Sequence, residues 1–142
     1  MKITFTIPGQ PKTTAQQKGV MVRGGRVMFF KKKEICAEER RLGFECQRHR
    51  PEWKFENGVA AEITFVFPFT KAEEKKHKEK ASDLSFTTPK LTRPDVDNCS
   101  KTIIDVLTKC GFWSDDSQIC TLLLSKQSGW TPCIKVRLSD VL

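Results

Sequence analysis

Segments with strand character and segments with helix character follow one another irregularly along this sequence. Alternating apolar residues mark the strands, and apolar residues three and four positions apart mark the helices. The predicted strands are residues 2–7, a hairpin over 20–29 that turns at Gly24-Gly25, 59–69, and 117–126 paired with 132–138 across the turn 127–130. The predicted helices are residues 31–50 and 97–110. This order favours an α+β fold in which helices pack on a mixed β-sheet.

The length of 142 residues predicts a single domain over 1–142. Within it, residues 70–92 read as a charged and extended insertion, and the charged part, 70–81, is expected to be a solvated helix or a mobile loop. No apolar run approaches the roughly 18 residues of a membrane span, and the first residues are too mixed for a signal peptide. We therefore expect a cytoplasmic protein without a membrane partner.

Positive charge is concentrated at the start of the chain. There are 25 Lys and Arg against 17 Asp and Glu, and the first 33 residues hold eight of the bases and no acid. Such asymmetry predicts a polyanionic partner such as nucleic acid, because phosphate contacts release counterions and steer association. The alternative is a surface that is merely soluble. The candidate nucleic-acid-binding residues are Lys12, Lys18, Arg23, Arg26, Lys31, Lys32, Lys33 and, further along, Arg93.

The six cysteines are spaced too widely for a zinc site. Neighbouring cysteines are at least ten residues apart, there is no C-x-x-C pair, and only two histidines are available. Most of the cysteines, such as Cys120 and Cys133, have apolar neighbours, where a thiol behaves as a small hydrophobic group. We expect reduced thiols with a packing role.

The acids are concentrated in one segment, since five of the 17 fall between Asp95 and Asp116. Asp95 and Asp97 alternate in the extended stretch after Pro94, so both carboxylates can face the same way. The alternative is that one of them only caps the helix that follows. Asp115 and Asp116 come between that helix and the next strand. They return beside the first pair if the two elements pack, or they are simply turn residues.

The helix after Asp97 carries a charged stripe. Spacing by four places Asp97, Lys101 and Asp105 on one side, away from the apolar positions. Lys101 and Asp105 could equally be a surface ion pair. Beyond the helix, Phe112 and Trp113 could stack on bases, although an apolar pair after a helix end more often belongs to the core.

Three carboxylates packed together repel one another unless a divalent cation neutralises them. Oxygen ligands favour Mg²⁺, with Mn²⁺ as the alternative, over zinc. Such an ion can polarise a phosphoryl oxygen and orient water, and Lys101 adds a positive charge that could stabilise the charge developing on the phosphate. A basic arm together with an acidic cluster predicts a nuclease.

The stretch from Arg93 to Gln118, with its spacing D-x-D-N-x-x-K…D-D-x-Q, resembles the signature of the RusA family of Holliday-junction resolvases. The resemblance implies an α+β homodimer, metal-binding aspartates at Asp95, Asp97 and Asp116, and an essential lysine at Lys101. Asp115 is a weaker metal candidate. Catalytic roles are thereby expected for Asp95, Asp97, Lys101 and Asp116.

The resemblance further implies an Mg²⁺-dependent endodeoxyribonuclease that resolves four-way DNA junctions by paired symmetric cuts, in recombination and repair, without a small-molecule cofactor. A C₂ homodimer would present two identical sites to two symmetry-related strands. Two rivals remain: a metal-dependent nuclease for other branched or flap DNA, and a non-catalytic DNA-binding protein. An RNA-binding domain is disfavoured because no aromatic RNP-like pattern or GXXG loop is present.

Overall fold

The computed structural model describes residues 1–12, 18–31 and 33–141. The strands of the described ranges are β1 (Lys2–Pro8), β2 (Lys18–Arg23), β3 (Arg26–Lys31), β4 (Val59–Pro68), β5 (Thr87–Pro89), β6 (Ile119–Gly129) and β7 (Cys133–Asp140). The helices are α1 (Lys33–His49), α2 (Lys71–Lys76) and α3 (Val96–Lys109), with short 3₁₀ turns at Lys78–Lys80 and Asp116–Gln118. The predicted order of elements is confirmed, with boundaries shifted by a few residues.

β4 lies at the centre of a five-stranded sheet with the order β1-β7-β4-β6-β5. It pairs parallel with β6 and antiparallel with β7, and the outer pairs are antiparallel, so the mixed sheet of an α+β fold is confirmed. The predicted pairing of the last two strands is wrong, because β6 and β7 flank β4 on opposite sides. β4 buries alternate apolar residues and hydrogen-bonds along both edges, which favours the central position. Residues 130–132 connect β6 to β7 across β4, and so span two interstrand spacings, or about 10 Å.

The core lies between one face of the sheet and the helices α1 and α3, which also contact each other. α1 contributes Leu42 and Cys46, and α3 contributes Ile103. Phe112 and Trp113 are each 1 % exposed and belong to the same cluster. The core interpretation of this aromatic pair is therefore confirmed, and neither ring is available to stack on a base.

An ion pair between the buried Glu38 and the half-buried Arg41 holds the segment after β1 against α1. Glu38 is 2 % exposed and accepts two hydrogen bonds from Arg41, from Nε at 3.0 Å and from Nη2 at 2.6 Å. Arg41 Nη1 also donates to the carbonyl oxygen of Pro8 at 2.6 Å, and Nη2 donates to that of Gln10 at 3.3 Å. The bidentate pair thus holds the chain as it leaves the sheet.

β2 and β3 form a two-stranded sheet of their own. They turn at Gly24 and Gly25, whose φ angles of +58° and +76° are the positive values that a tight hairpin turn of this kind requires. The predicted hairpin is confirmed. α1 begins at Lys33, two residues later than expected, because β3 continues through Lys31.

The charged segment after β4 forms the short helix α2, which buries none of its residues. Thr70 and Glu73 close a capping box at its start. The expectation of a solvated helix is confirmed for 71–76, and β5 follows as a short edge strand. That 70–92 is an insertion stays a prediction. None of the helices in the described ranges is long and apolar enough to cross a membrane.

Candidate active site

α3 begins directly after Asp95, which occupies the N-cap position with extended backbone angles of φ −67° and ψ 142°. Its carboxylate makes no capping hydrogen bond and is exposed to solvent. Instead, the carbonyl oxygen of Asp95 accepts the backbone N–H of Asn98 at 3.1 Å and the thiol of Cys99 at 3.5 Å. Asp95 therefore has the position of a cap without performing its usual hydrogen bonding, which leaves the carboxylate available for a ligand.

The charged stripe of α3 faces solvent, as the spacing predicts. Asp97, Lys101 and Asp105 are exposed, whereas Ile103 and Leu107 on the other side are buried. Among the described residues, no ion pair within 4.0 Å joins Lys101 to Asp105. Lys101 and Asp105 therefore do not form the surface ion pair, and the Lys101 ammonium remains accessible to a substrate.

Lys126 fixes the backbone that leads into α3. From the middle of β6, its ammonium donates to the carbonyl oxygens of Thr92 at 2.5 Å and Pro94 at 2.8 Å. Lys90 donates to Thr92 Oγ1 at 2.9 Å. These contacts hold the two residues on either side of Arg93, immediately before Asp95.

The pKa of the Cys99 thiol depends on burial and on the charges around this end of the helix. Burial raises its pKa, the positive charge of Lys126 and Lys90 lowers it, and the negative charge of Asp97 and Asp95 raises it. Two carboxylates and two ammonium groups therefore lie together at the N-terminal end of α3. Both aspartates also sit at the positive end of the helix dipole, which favours negative charge.

A cleft of about 280 Å³ opens beside this charge cluster. It is lined by Gln10, Pro11, Phe67, Pro68, Lys90, Arg93 and Pro94. Arg93, one of the predicted DNA-binding residues, is exposed there, and Lys90 lies over the Phe67 ring at 5.1 Å from its centroid. Two cations thus border an open groove next to Asp95, an arrangement that suits a phosphate backbone.

Asp115 and Asp116 have different structural roles. Asp115 caps the 3₁₀ turn Asp116–Gln118, and its carboxylate accepts the N–H of Ser117 at 2.8 Å. Hydrogen bonds from the backbone and the side chain of Ser117 lower the pKa of Asp115. Gln118 completes the cap and donates to the carbonyl oxygen of Phe55 at 3.1 Å. Asp115 is therefore a turn residue, and its role as a weaker metal candidate stays a prediction. Asp116 is exposed in the first turn of the same element.

Asp116 and the Asp95–Asp97 pair lie at opposite ends of α3. The helix has 14 residues and is about 21 Å long. Lys126, beside the start of α3, is also about 26 Å along β6 from Gln118. Asp116 does not return to the first pair within one chain, because β6 starts at the C-terminal end of α3 and runs back along it. Accordingly, in residues 1–12, 18–31 and 33–141 no three Asp, Glu, His or Cys side chains form a group that could hold a metal ion.

The predicted DNA-binding bases of the first 33 residues are spread over three elements. Lys12 is exposed after β1, Arg23 and Arg26 are exposed beside the hairpin turn, and Lys33 is exposed at the start of α1. Lys18 and Lys31 pair at the other end of the hairpin, where the structure describes only their backbone. Lys32 lies outside the described residues. Their roles, like those of the acidic residues, stay predictions.

Sequence reasoning missed Lys126 and Lys90. Neither belongs to a motif, and a lysine in a strand is ordinarily a solvent-facing residue. Only the packing of β6 against the segment before α3 reveals that Lys126 donates to Thr92 and Pro94. No pattern in the sequence would have identified it.

Comparison with known proteins identifies the family of the chain. The family described as Endodeoxyribonuclease RusA matches residues 8–139. The crossover junction endodeoxyribonuclease rusA of Lactococcus phage r1t is 27% identical over 129 residues, which cover 91% of this chain and 90% of that protein. The uncharacterized protein YqaN of Bacillus subtilis (strain 168) is 30% identical over 141 residues, covering 98% and 96%. The chain therefore belongs to the RusA endodeoxyribonuclease family.

Proposed function

We propose that this protein is a divalent-metal-dependent endonuclease that cuts branched DNA, four-way junctions above all, and that it acts as a homodimer in recombination and repair. The relative from Lactococcus phage r1t is named for crossover junctions, which supports this substrate. The observation that carries the proposal is Asp95, an exposed carboxylate at an N-cap that makes no capping bond, next to exposed Asp97.

The donor set fits a hard cation. Asp95 and Asp97 offer only carboxylate oxygens, which Mg²⁺ and Mn²⁺ prefer. When bound, the ion would neutralise charge at the scissile phosphate. Lys126 and Lys90 would keep the segment before Asp95 in place, so that the two carboxylates point to the same position in every catalytic cycle.

Lys101 follows Asp97 by one helical turn on the exposed stripe of α3. Its ammonium would stabilise the negative charge that develops on the phosphate oxygens during cleavage. Arg93 and Lys90, at the neighbouring cleft, would bind the phosphates that flank the cut. These roles need only exposed side chains around the first turns of one helix.

The separation of Asp116 from its own Asp95 and Asp97 favours a site shared between two copies. One chain supplies two carboxylates at the start of α3, and its Asp116 follows the other end of this helix, which is about 21 Å long. In a C₂ dimer with antiparallel α3 helices, Asp116 of the partner subunit would complete the first pair. Symmetry then produces two sites, which suits two symmetry-related strands of a junction.

Cleavage of a labelled synthetic four-way junction, beside a matched linear duplex, tests this function in Mg²⁺, Mn²⁺ and EDTA. Paired symmetric cuts that are confined to the junction and need metal are expected. Metal-dependent cutting of flaps or duplex at the same rate would retain a nuclease but refute the junction substrate. Binding without cutting in either metal would refute catalysis.

A pair of matched variants tests the site itself. Asp97→Asn should abolish cleavage while junction binding stays the same or tightens, because a repulsive charge is removed and the basic surface remains. Asp105→Asn, on the same exposed stripe but two turns further from Asp95, should cleave as the unmodified protein does. An Asp97→Asn protein that cuts at the normal rate in Mg²⁺ would remove Asp97 from the site.

A further inference from the structure

The hairpin β2–β3 exposes an unusual amount of apolar surface. Of the twelve large hydrophobic residues exposed in the described part of the chain, six lie on it: Val20, Met21, Val22, Val27, Met28 and Phe29, which are 43 to 68 % exposed. A two-stranded hairpin is at best marginally stable alone in water. Exposed apolar surface of this kind marks a site of interaction.

The strand register divides these six residues between two faces. Val20 pairs with Phe29 and Val22 pairs with Val27, so these four side chains share one face. Met21 pairs with Met28 on the other. The first face is the more exposed, at 59 to 68 %, against 43 and 47 % for the two methionines. The ribbon therefore presents one nearly uncovered β-branched and aromatic face, which we call the valine–phenylalanine face.

The ribbon carries four cations and no acid: Lys18, Arg23, Arg26 and Lys31. Arg23 and Arg26 pair beside the turn and are exposed, and they lie on the methionine face, two positions along each strand from Met21 and Met28. No acid occurs in the first 33 residues. Two such ribbons packed together would concentrate eight cations with no carboxylate among them, which disfavours a second copy as the cover. The charge is complementary to a polyanion.

We propose that the valine–phenylalanine face packs against unstacked bases at the branch point of DNA, while Arg23 and Arg26, on the other face beside the turn, bind the adjacent phosphates. The inference rests on the proposed function, which makes branched DNA the substrate. Branch points hold bases whose stacking is already interrupted, so an apolar wedge can contact them at less cost than in a continuous duplex. A six-residue β-ribbon is about 20 Å long and slender enough to enter a DNA groove. Apolar contact with bases supplies selectivity for shape that phosphate contacts lack.

Equilibrium binding in EDTA, where no cutting is expected, separates this contact from catalysis. The test protein carries Val20→Thr, Val22→Thr, Val27→Thr and Phe29→Thr. Threonine is β-branched and suited to a strand, but it presents less apolar surface. The matched control carries Met21→Thr and Met28→Thr on the opposite face. Each is titrated against a four-way junction with 2-aminopurine at the branch point and against linear duplex of the same sequence.

The test protein should bind the junction at least about tenfold more weakly and lose the 2-aminopurine response, because base contact is lost. Its duplex affinity and the salt dependence of binding should not change, since no cation is removed. The control should behave as the unmodified protein. The unchanged duplex binding guards against a folding defect in the test protein, and Phe29→Trp alone should keep the junction affinity because an aromatic surface remains.

Three results would overturn the proposal. The test protein could retain junction affinity while the unmodified protein still prefers junction over duplex. It could instead become monomeric in sedimentation equilibrium, which would make the face a contact between copies. The control could lose as much affinity as the test protein. Failure of the proposed function would give a different result from failure of this inference, because the unmodified protein would then show no preference for the junction over duplex.

Discussion

Two inactive chains are expected to restore cleavage when they are mixed. The pair is Asp97→Asn and Asp116→Asn, each of which should be inactive alone. If every site takes Asp95 and Asp97 from one copy and Asp116 from the other, a mixed dimer has one site with both substitutions and one site with neither. The second site is intact and should nick one strand of a junction.

The length of α3 explains why one chain cannot complete its own site, and the composition of the mixed dimers sets the expected rate of nicking. Carboxylates that bind one divalent ion lie about 2.0–2.6 Å from it, so they lie within about 5 Å of one another. The 14-residue helix between the two groups is about 21 Å long, a length that no aspartate side chain can bridge. Random exchange makes half of the dimers mixed, each with one intact site of two, so nicking should reach about a quarter of the unmodified rate.

The assay is nicking of a labelled four-way junction in Mg²⁺, after native mass spectrometry has confirmed exchange between tagged chains. A mixture of Asp95→Asn and Asp97→Asn chains is the matched control. It should stay inactive, because both substitutions fall in the same half of the site. If exchange is complete and the first mixture is no more active than its components, the shared-site reasoning is refuted.

Four further outcomes are expected from contacts and burial in the fold. Lys126→Met removes two hydrogen bonds from a charged donor, so we expect the free energy of unfolding to fall by about 2 kcal/mol and the melting temperature in calorimetry to fall by roughly 4–8 °C. Cleavage should slow while junction binding is retained. Unchanged melting and cleavage would contradict this prediction. Arg41→Met leaves the Glu38 carboxylate buried without its partner, so the free energy of unfolding measured in urea should fall by about 3 kcal/mol. Adding Glu38→Gln to the same chain should restore part of this loss. Burial raises the pKa of Cys46 to about 12, so the unfolded chain releases this proton first and stability should fall as the pH rises above about 9. At pH 8 a thiol reagent should label Cys120 and leave Cys46 unmodified until unfolding; labelling of both at one rate would refute the burial argument.

Elements whose signals are local could be predicted from the sequence. The two glycines of the hairpin turn adopt the positive φ angles that such a turn requires, and Gly111, at φ +83°, ends α3 where the apolar period stops. The stripe of Asp97 and Lys101 faces solvent because the spacing of a helix alone separates it from the apolar side. These features depend on residues within a few positions of each other, so a short window of sequence contains their cause.

Other features depend on residues far apart in sequence, and no local pattern contains them. β4 pairs on both edges and so separates β6 from β7, although the short connection between those two strands suggests a hairpin. The roles of the acidic pairs also depended on packing, because the same residue types form a working cap at Asp115 and an unused cap position at Asp95.

The sequence by itself determined the helices and strands, the acidic segment and the family to which the chain belongs. Only the tertiary structure decided where the acidic segment's parts lie relative to each other. β6 runs back along α3, so Lys126 reaches the start of the helix while Asp116 stays at its other end. The physical reason is that a helix separates its two ends by its full length, whereas an antiparallel neighbour brings sequence-distant residues together.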